Sequence, residues 1–206
     1  MKLRAIAAAV VSAAVLTGCA DTPKLAGSAA IIDGKAISAA TVSERIDQVR
    51  SQIQITDPGL VSAVPSLVQI GQRSVDHFVL HALIEEAVKR EGIKITELEV
   101  TSYRDQVFAQ YTKDSIEAQL VSQNAVPATG VEEFMFEILA QRALMEKLVP
   151  GGSKTIQTQA LIDYMTKLSQ EIGVELNPRY GKWDPSNLIS TPGDKTLSVP
   201  LPISLG

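Results

Sequence analysis

The segment VELNPRYGKWDP, from Val174 to Pro185, is the densest local signal in this chain. It carries the only tryptophan, Trp183, beside Pro, Arg, Tyr and Gly, yet it holds no nucleophile, metal-binding cluster or phosphate loop. Its first three residues predict a strand that is too short to be stable alone. Pro178 then ends the donation of backbone hydrogen bonds, and Gly181 permits a turn. The segment therefore indicates a structural role rather than a catalytic one.

A second strand signal lies near the N-terminus. In AAIIDGKAIS, residues 29–38, Asp33-Gly34 separates two short apolar pairs, which is typical of a hairpin with a two-residue turn. After this hairpin the apolar residues recur every three or four positions, which predicts helices, and one of these begins at a capping box. The predicted apolar stripes or helices are Val42–Ile53, Ser66–Arg90, Thr96–Tyr111, Asp114–Gln123, Val131–Leu148 and Leu161–Ile172. We expect the long second helix to be central, since it is apolar over most of its circumference.

The N-terminus is typical of an export signal. MKLRAIAAAVVSAAVLTGCA has two cations followed by an apolar run that is too short to span a membrane. Its end, Leu16-Thr17-Gly18-Cys19, matches the bacterial lipobox, in which the cysteine thiol is acylated and becomes the first mature residue. We predict a lipoprotein signal peptide over residues 1–18, lipid attachment at Cys19 and a tether over residues 19–28. An ordinary signal peptide with a chance cysteine is the alternative.

Charge and cysteine usage exclude several classes of function. Loss of residues 1–18 removes Lys2 and Arg4 and no acid, so the formal charge of −4 loses two positive charges and becomes −6. A negative chain is a poor ligand for nucleic acid or for anionic lipid headgroups. Because Cys19 is the only cysteine, acylation leaves no thiol for a disulfide, a nucleophile or a zinc site. We therefore expect no nucleic-acid partner and no cofactor.

Three stretches follow one another in a set order. They are AAIIDGKAISAATVSERIDQV (29–49), VLHALIEEAVKREGIKITELEV (79–100) and GVEEFMFEILAQRALMEKL (130–148), which precedes a helix and VELNPRYGKWD. In order and spacing they resemble the SurA-like and PrsA-like chaperone family of secreted bacterial proteins, which is related in fold to the client-binding domain of trigger factor. The resemblance implies a mainly α, SurA/trigger-factor-like chaperone domain over residues 29–184.

The same resemblance implies how the chain ends are arranged. Residues 174–176 would complete a small sheet with the N-terminal hairpin, and Tyr180 and Trp183 would cover that sheet with apolar area. The tail over residues 185–206 contains four prolines and no helical period, so we expect it to be extended or disordered, or only locally paired.

One departure from the family determines the expected activity. In SurA and PrsA, parvulin-type prolyl isomerase domains interrupt the chain before the closing helix and strand, whereas here PGGSKT, residues 150–155, occupies that junction. The resemblance therefore implies an ATP-independent chaperone that holds or assists unfolded or partly folded exported proteins and is not an enzyme. It would be lipid-anchored on the extracytoplasmic face of the cell membrane or in the periplasm, with a homodimer left open. The alternative is a structural or adaptor lipoprotein that docks one folded envelope partner.

The apolar run Phe134-Met135-Phe136 cannot point to one face of a helix, since successive residues differ by about 100 degrees. Either two elements cover this helix, or part of its apolar surface lines a cradle for clients, to which the adaptable methionine is suited. The candidate client-binding residues are Tyr103, Phe108, Tyr111, Phe134, Met135 and Phe136.

The two histidines of the chain, His77 and His81, are spaced like residues that clamp a metal ion together with Glu85. The same line of the helix, however, continues from Arg73 to Lys89 with polar residues, and Glu85 with Lys89 is a favourable surface pair. We therefore predict a solvated polar stripe and no metal site.

Overall fold

The computed structural model describes residues 25–61 and 63–192, and six α-helices follow the hairpin in this part of the chain. The fold is mainly helical with a small antiparallel sheet, as the sequence predicts. The helices are α1 (Ala39–Ile55), α2 (Leu67–Arg90), α3 (Glu97–Gln110), α4 (Lys113–Gln119), α5 (Val131–Leu148) and α6 (Lys154–Ile172).

The small sheet joins the two ends of the domain. β1 (Ser28–Ile32) and β2 (Lys35–Ser38) form an antiparallel hairpin, with Asp33 and Gly34 at φ angles of 50° and 73° between them. Both angles lie in the left-handed region, which is the geometry of a type I′ turn and suits Asp-Gly. β3 (Val174–Leu176) pairs antiparallel with β1, which confirms the expected sheet in the order β2-β1-β3.

Two helices are central. α2 packs on α1, α5, α6 and β1, as its apolar circumference predicts, and its residues Val75, Val79 and Leu83 are fully buried. α5 packs on α2, α3 and α6. It separates the main core, formed by α2, α6 and the sheet, from a second apolar cluster between α3, α4 and α5.

α4 is shorter than predicted. The helix ends at Gln119 and continues as a π-helical turn, Leu120–Asn124, which ends at Ala125 with a φ of 55°. This turn buries Leu120 and Val121 and carries the chain back towards the start of α5. The wider turn thus completes the second apolar cluster.

Tyr180 and Trp183 follow β3 and pack in different places. Tyr180 is buried in the main core, and its ring lies against Gly71 of α2. Trp183 is half-buried, and its indole N–H donates to Ser169 Oγ on α6 at 2.7 Å. The tryptophan is therefore directed to α6, a contact that the sequence does not predict.

The ordered domain extends beyond its expected limits at residues 29 and 184. β1 begins at Ser28, within the expected tether. β4 (Lys182–Asp184) and β5 (Ile189–Thr191) form a second antiparallel hairpin, and the Ser190 N–H donates to Asp76 Oδ1 on α2 at 2.8 Å. Residues 185–192 are thus locally paired, and their contact with α2 is a feature that the sequence does not predict.

The predicted signal peptide, Cys19 and the tether up to residue 24 lie outside the described residues, as does the tail from residue 193. Among the helices that are described, none is both long and apolar enough to cross a bilayer.

Candidate functional site

A groove of about 530 Å³ lies between α3, α4 and α5. Four of the six candidate client-binding residues, Tyr103, Tyr111, Phe134 and Met135, line it together with Ile138. The structure thus brings most of the candidate set into one place. A concave, solvent-accessible surface with apolar walls is where a protein binds apolar groups of another molecule.

The run Phe134-Met135-Phe136 is divided between two sides of α5. Phe134 is half-buried in the wall of the groove, and Met135, only 2% exposed, lies at its base. Phe136 points towards α2, where its ring lies 6.0 Å from that of His81. Phe136 therefore packs between two helices and does not line the groove.

The two remaining aromatic candidates on this side also differ. Phe108 is half-buried in the second apolar cluster and does not line the groove. Tyr111, at the end of α3, is 54% exposed at the edge of the groove. Its exposed ring contributes little to the core and is free to cover a bound chain.

Polar side chains form the rim of the groove. Gln106, Gln110 and Gln119 are exposed there. A side-chain amide both donates and accepts hydrogen bonds, so these residues match the backbone of an extended peptide whatever its sequence. The Arg142 guanidinium lies 4.8 Å from the centre of the Tyr103 ring and donates to its hydroxyl at 2.9 Å, which holds that ring in the wall.

A cluster of ionisable side chains lies between α2 and α5. His77 Nε2 is 2.6 Å from Glu133 Oε1, and His81 Nδ1 is 3.0 Å from Glu137 Oε1. His77 is 7% exposed and Glu137 is 2% exposed. The predicted solvated stripe is therefore wrong at these two histidines, because α5 covers this line of α2.

Arg45 of α1 belongs to the same cluster. Its guanidinium is buried 4.6 Å from the centre of the Phe78 ring and 3.7 Å from Glu133 Oε1. One of its nitrogens, Nη1, has no hydrogen-bond partner among the described residues. Burial lowers the pKa of Arg45, and attraction to the neighbouring Glu133 carboxylate offsets part of that effect.

The cluster changes the proton affinities of its members. The hydrogen bond from His77 lowers the pKa of Glu133 to about 2. Burial acts to lower the pKa of His81, but the hydrogen bond to Glu137 and the nearby carboxylates outweigh it, so the pKa is raised. The ionised form of Glu133 and the protonated form of His81 are thus stabilised by the groups that face them.

Sequence reasoning missed Arg45, Glu133 and Glu137. A signal was present, because Glu133 and Glu137 have the same four-residue spacing as His77 and His81, and Glu137 interrupts the apolar run from Phe134 to Ala140. Two packed helices place such pairs face to face only when they are in register. The register in which α5 packs on α2 is set by the tertiary structure, and the spacing of residues within one helix does not predict it.

Comparison of the chain with protein-family models, curated proteins and solved structures finds no match. The likeness to SurA-like and PrsA-like proteins therefore rests on the sequence stretches alone.

Proposed function

We propose that this chain is an envelope lipoprotein that holds unfolded segments of exported proteins in the groove between α3, α4 and α5. It works without ATP and without prolyl isomerase chemistry. The observation that carries the proposal is the groove itself, with its aromatic walls, the methionine at its base and its amide rim. Apolar walls suit side chains of many shapes, and amides suit the peptide backbone common to all clients.

The sequence resemblance supports the same function. The hairpin, the helices and the closing strand occur in the order that it implies. α5 ends at Leu148 and α6 begins at Lys154, so five residues span the junction that holds a parvulin domain in SurA and PrsA. The proposal therefore assigns holding activity to this domain and no isomerase activity.

The proposed binding is weak and reversible. Burial of apolar client surface contributes about 25 cal/mol per Å², and the entropy lost in ordering the client opposes it. Dissociation constants near micromolar follow, at roughly −8 kcal/mol. Weak binding allows a client to leave and fold without an energy source.

Aggregation and refolding assays test the proposal. The mature protein should suppress light scattering by several diluted unfolded proteins and leave the rate of a proline-limited refolding step unchanged. Tyr111→Ser should reduce suppression several-fold, whereas Ile156→Ser, which removes another exposed apolar side chain on α6, should not. Equal suppression by both variants would remove the groove from the proposal, and faster proline-limited refolding would indicate an isomerase.

A second candidate function is an adaptor that docks one folded envelope protein. It is favoured by exposed apolar residues at the end of α1 and the start of α2, where Ile55 is 86% exposed. A cavity of about 720 Å³ beside Ile55 and Leu60 is bordered by Asp57, Asp114 and Glu117, which suits a basic partner. Tight capture of one folded protein with defined stoichiometry, without suppression of aggregation, would favour the adaptor.

A further inference from the structure

The imidazole rings of His77 and His81, both on α2, each direct Nδ1 towards Glu137. His77 Nδ1 and His81 Nδ1 lie 3.5 and 3.0 Å from the same atom, Glu137 Oε1. Their other nitrogens contact other carboxylates, since His77 Nε2 is 2.6 Å from Glu133 and His81 Nε2 is 3.6 Å from Glu85. Both Nδ1 atoms thus face one carboxylate oxygen, while the second nitrogen of each ring faces another carboxylate.

This pattern is the one that metal-bound histidines adopt. One ring nitrogen binds the ion, and the other donates to a carboxylate that fixes the tautomer and the orientation of the ring. Zinc bonds of about 2.0–2.2 Å place neighbouring ligand atoms roughly 3.3 Å apart in a tetrahedron. The separations of 3.0 and 3.5 Å lie on either side of that value. Potential ligand atoms of His77, Glu133 and Glu137 lie within 4.8 Å of one another, and His81 Nδ1 lies 3.0 Å from Glu137 Oε1, so the four side chains occupy one small volume.

The charges of the cluster favour a cation. Glu137 is almost fully buried, and among the described residues its ion-pair partners are the two imidazoles. Glu133 also faces the guanidinium of Arg45, whereas Glu137 faces the two imidazoles, and the Glu85 side chain is largely exposed. A buried carboxylate without a cation is costly. A divalent ion between the imidazoles and Glu137 would supply a fixed positive charge.

We propose that His77 Nδ1, His81 Nδ1 and the Glu137 carboxylate bind one divalent transition-metal ion between α2 and α5. Imidazole with carboxylate suits Zn²⁺ and its first-row neighbours. Glu133 and Glu85 are positioning residues, each acting through the histidine that it faces. Arg45 contacts Glu133, at the Nε2 side of the His77 ring, and so lies beyond the first ligands.

The ion would join the two central helices of the domain. Three ligands come from the chain, and water fills the remaining coordination positions. The His81 side chain is 23% exposed, which gives the ion a path from solvent. Because His77 and Glu137 are buried, the bound ion stabilises the packing of α5 on α2 and is separate from the groove, which lies along other residues of α5.

Metal titration of the full mature chain tests the site. Cys19→Ser is used so that no thiol competes for the ion, and the protein is first stripped with a chelator. Co²⁺ should give a saturable visible spectrum at one ion per chain, Zn²⁺ should displace it, and Zn²⁺ should raise the Tm. His81→Gln and Glu137→Gln should each weaken binding at least tenfold.

The controls separate ligation from folding. Glu86→Gln makes the same chemical change as Glu137→Gln, but at a residue of α2 that pairs with Arg90. It should leave the affinity for the metal ion unchanged. Because the His81 side chain is partly exposed, we expect His81→Gln to fold even if Glu137→Gln does not. Circular dichroism checks that each variant is folded. The proposal is overturned if neither ion binds saturably at millimolar concentration, or if His81→Gln binds as tightly as the parent. In that case His77, His81, Glu133 and Glu137 form a hydrogen-bonded network that shares protons.

Discussion

Asn177 donates its side-chain amide to the carbonyl oxygen of Ser28, 149 positions earlier in the chain, at 3.0 Å. Its backbone N–H donates to Ala29 O at 2.8 Å, and its side-chain oxygen accepts from the Arg179 N–H at 3.2 Å. One residue therefore ties β3, the turn after it and β1 together. This contact explains the structural role that the composition of VELNPRYGKWDP predicts.

Replacement of Asn177 by alanine should weaken this closure. The Ser28 carbonyl would lose its partner in a half-buried position, so we expect the free energy of unfolding to fall by about 1–2 kcal/mol. Chemical denaturation followed by the fluorescence of Trp183, the only tryptophan, measures the change. Asn187→Ala removes an exposed local hydrogen bond to Asp184 and should leave stability nearly unchanged.

Truncation after Gly173 should lower the melting temperature sharply. It removes β3, the buried ring of Tyr180 and the β4–β5 hairpin, and it leaves β1 without one of its two neighbours. Differential scanning calorimetry of both proteins checks this. A truncated chain with the same melting temperature as its parent would show that the sheet closure is not needed for stability.

Phe134 and Phe136 should respond differently to replacement by serine. Phe136 packs between α2 and α5, so Phe136→Ser should cost about 2–4 kcal/mol of stability. Phe134 lines the groove, and Phe134→Ser should reduce suppression of aggregation with a much smaller change in melting. Parallel melting curves and light-scattering assays distinguish the two effects. If Phe134→Ser destabilises the protein as much as Phe136→Ser, the groove wall is part of the core.

Asp76 should make stability depend on pH. Burial raises the pKa of this carboxyl, and hydrogen bonds from Ser190 offset part of the rise. A raised folded-state pKa stabilises the fold below the unfolded value of about 3.9, and that stabilisation is lost as the pH rises through the folded value. Asp76→Asn keeps the oxygen that accepts from Ser190 and removes the charge. Its melting temperature should therefore exceed that of the parent at pH 7, and the difference should shrink towards pH 3.5.

The matched variant for this test is Asp76→Ala, which removes both the charge and the acceptor. It should melt below Asp76→Asn at neutral pH, because the Ser190 N–H of β5 then lacks its partner on α2. Equal melting temperatures for the two variants would show that this hydrogen bond contributes nothing to the docking of the β4–β5 hairpin.

Cys19 should carry lipid in cells. The motif Leu16-Thr17-Gly18-Cys19 predicts acylation of its thiol, and the chain has no other cysteine. Metabolic labelling with a clickable fatty acid should mark the wild type and not Cys19→Ser. An unlabelled protein that is fully secreted would contradict the lipoprotein assignment.

Local patterns were sufficient for the elements. The Asp33-Gly34 turn, the capping box at Thr96 and the spacing of apolar residues in α1, α2 and α6 each depend on contacts within a few residues. They predicted the hairpin and the helices. The bounds of α4 differ because its last residues adopt a π-helical turn that packs against α1 and α2, and no local pattern encodes those neighbours.

The sequence by itself determined the six helices and the three strands of the small sheet, since these follow from turn chemistry and from the period of apolar residues. The β4–β5 hairpin, which is docked on α2, was not among the predicted elements. The tertiary structure alone decided what each face of a helix meets. Along α5 it turned Phe134 towards the groove and Phe136 towards α2, and it set Glu133 and Glu137 against the histidines. The reason is that the periodicity of one helix defines its faces but not the partner or the register of packing, which depend on residues far away in the chain.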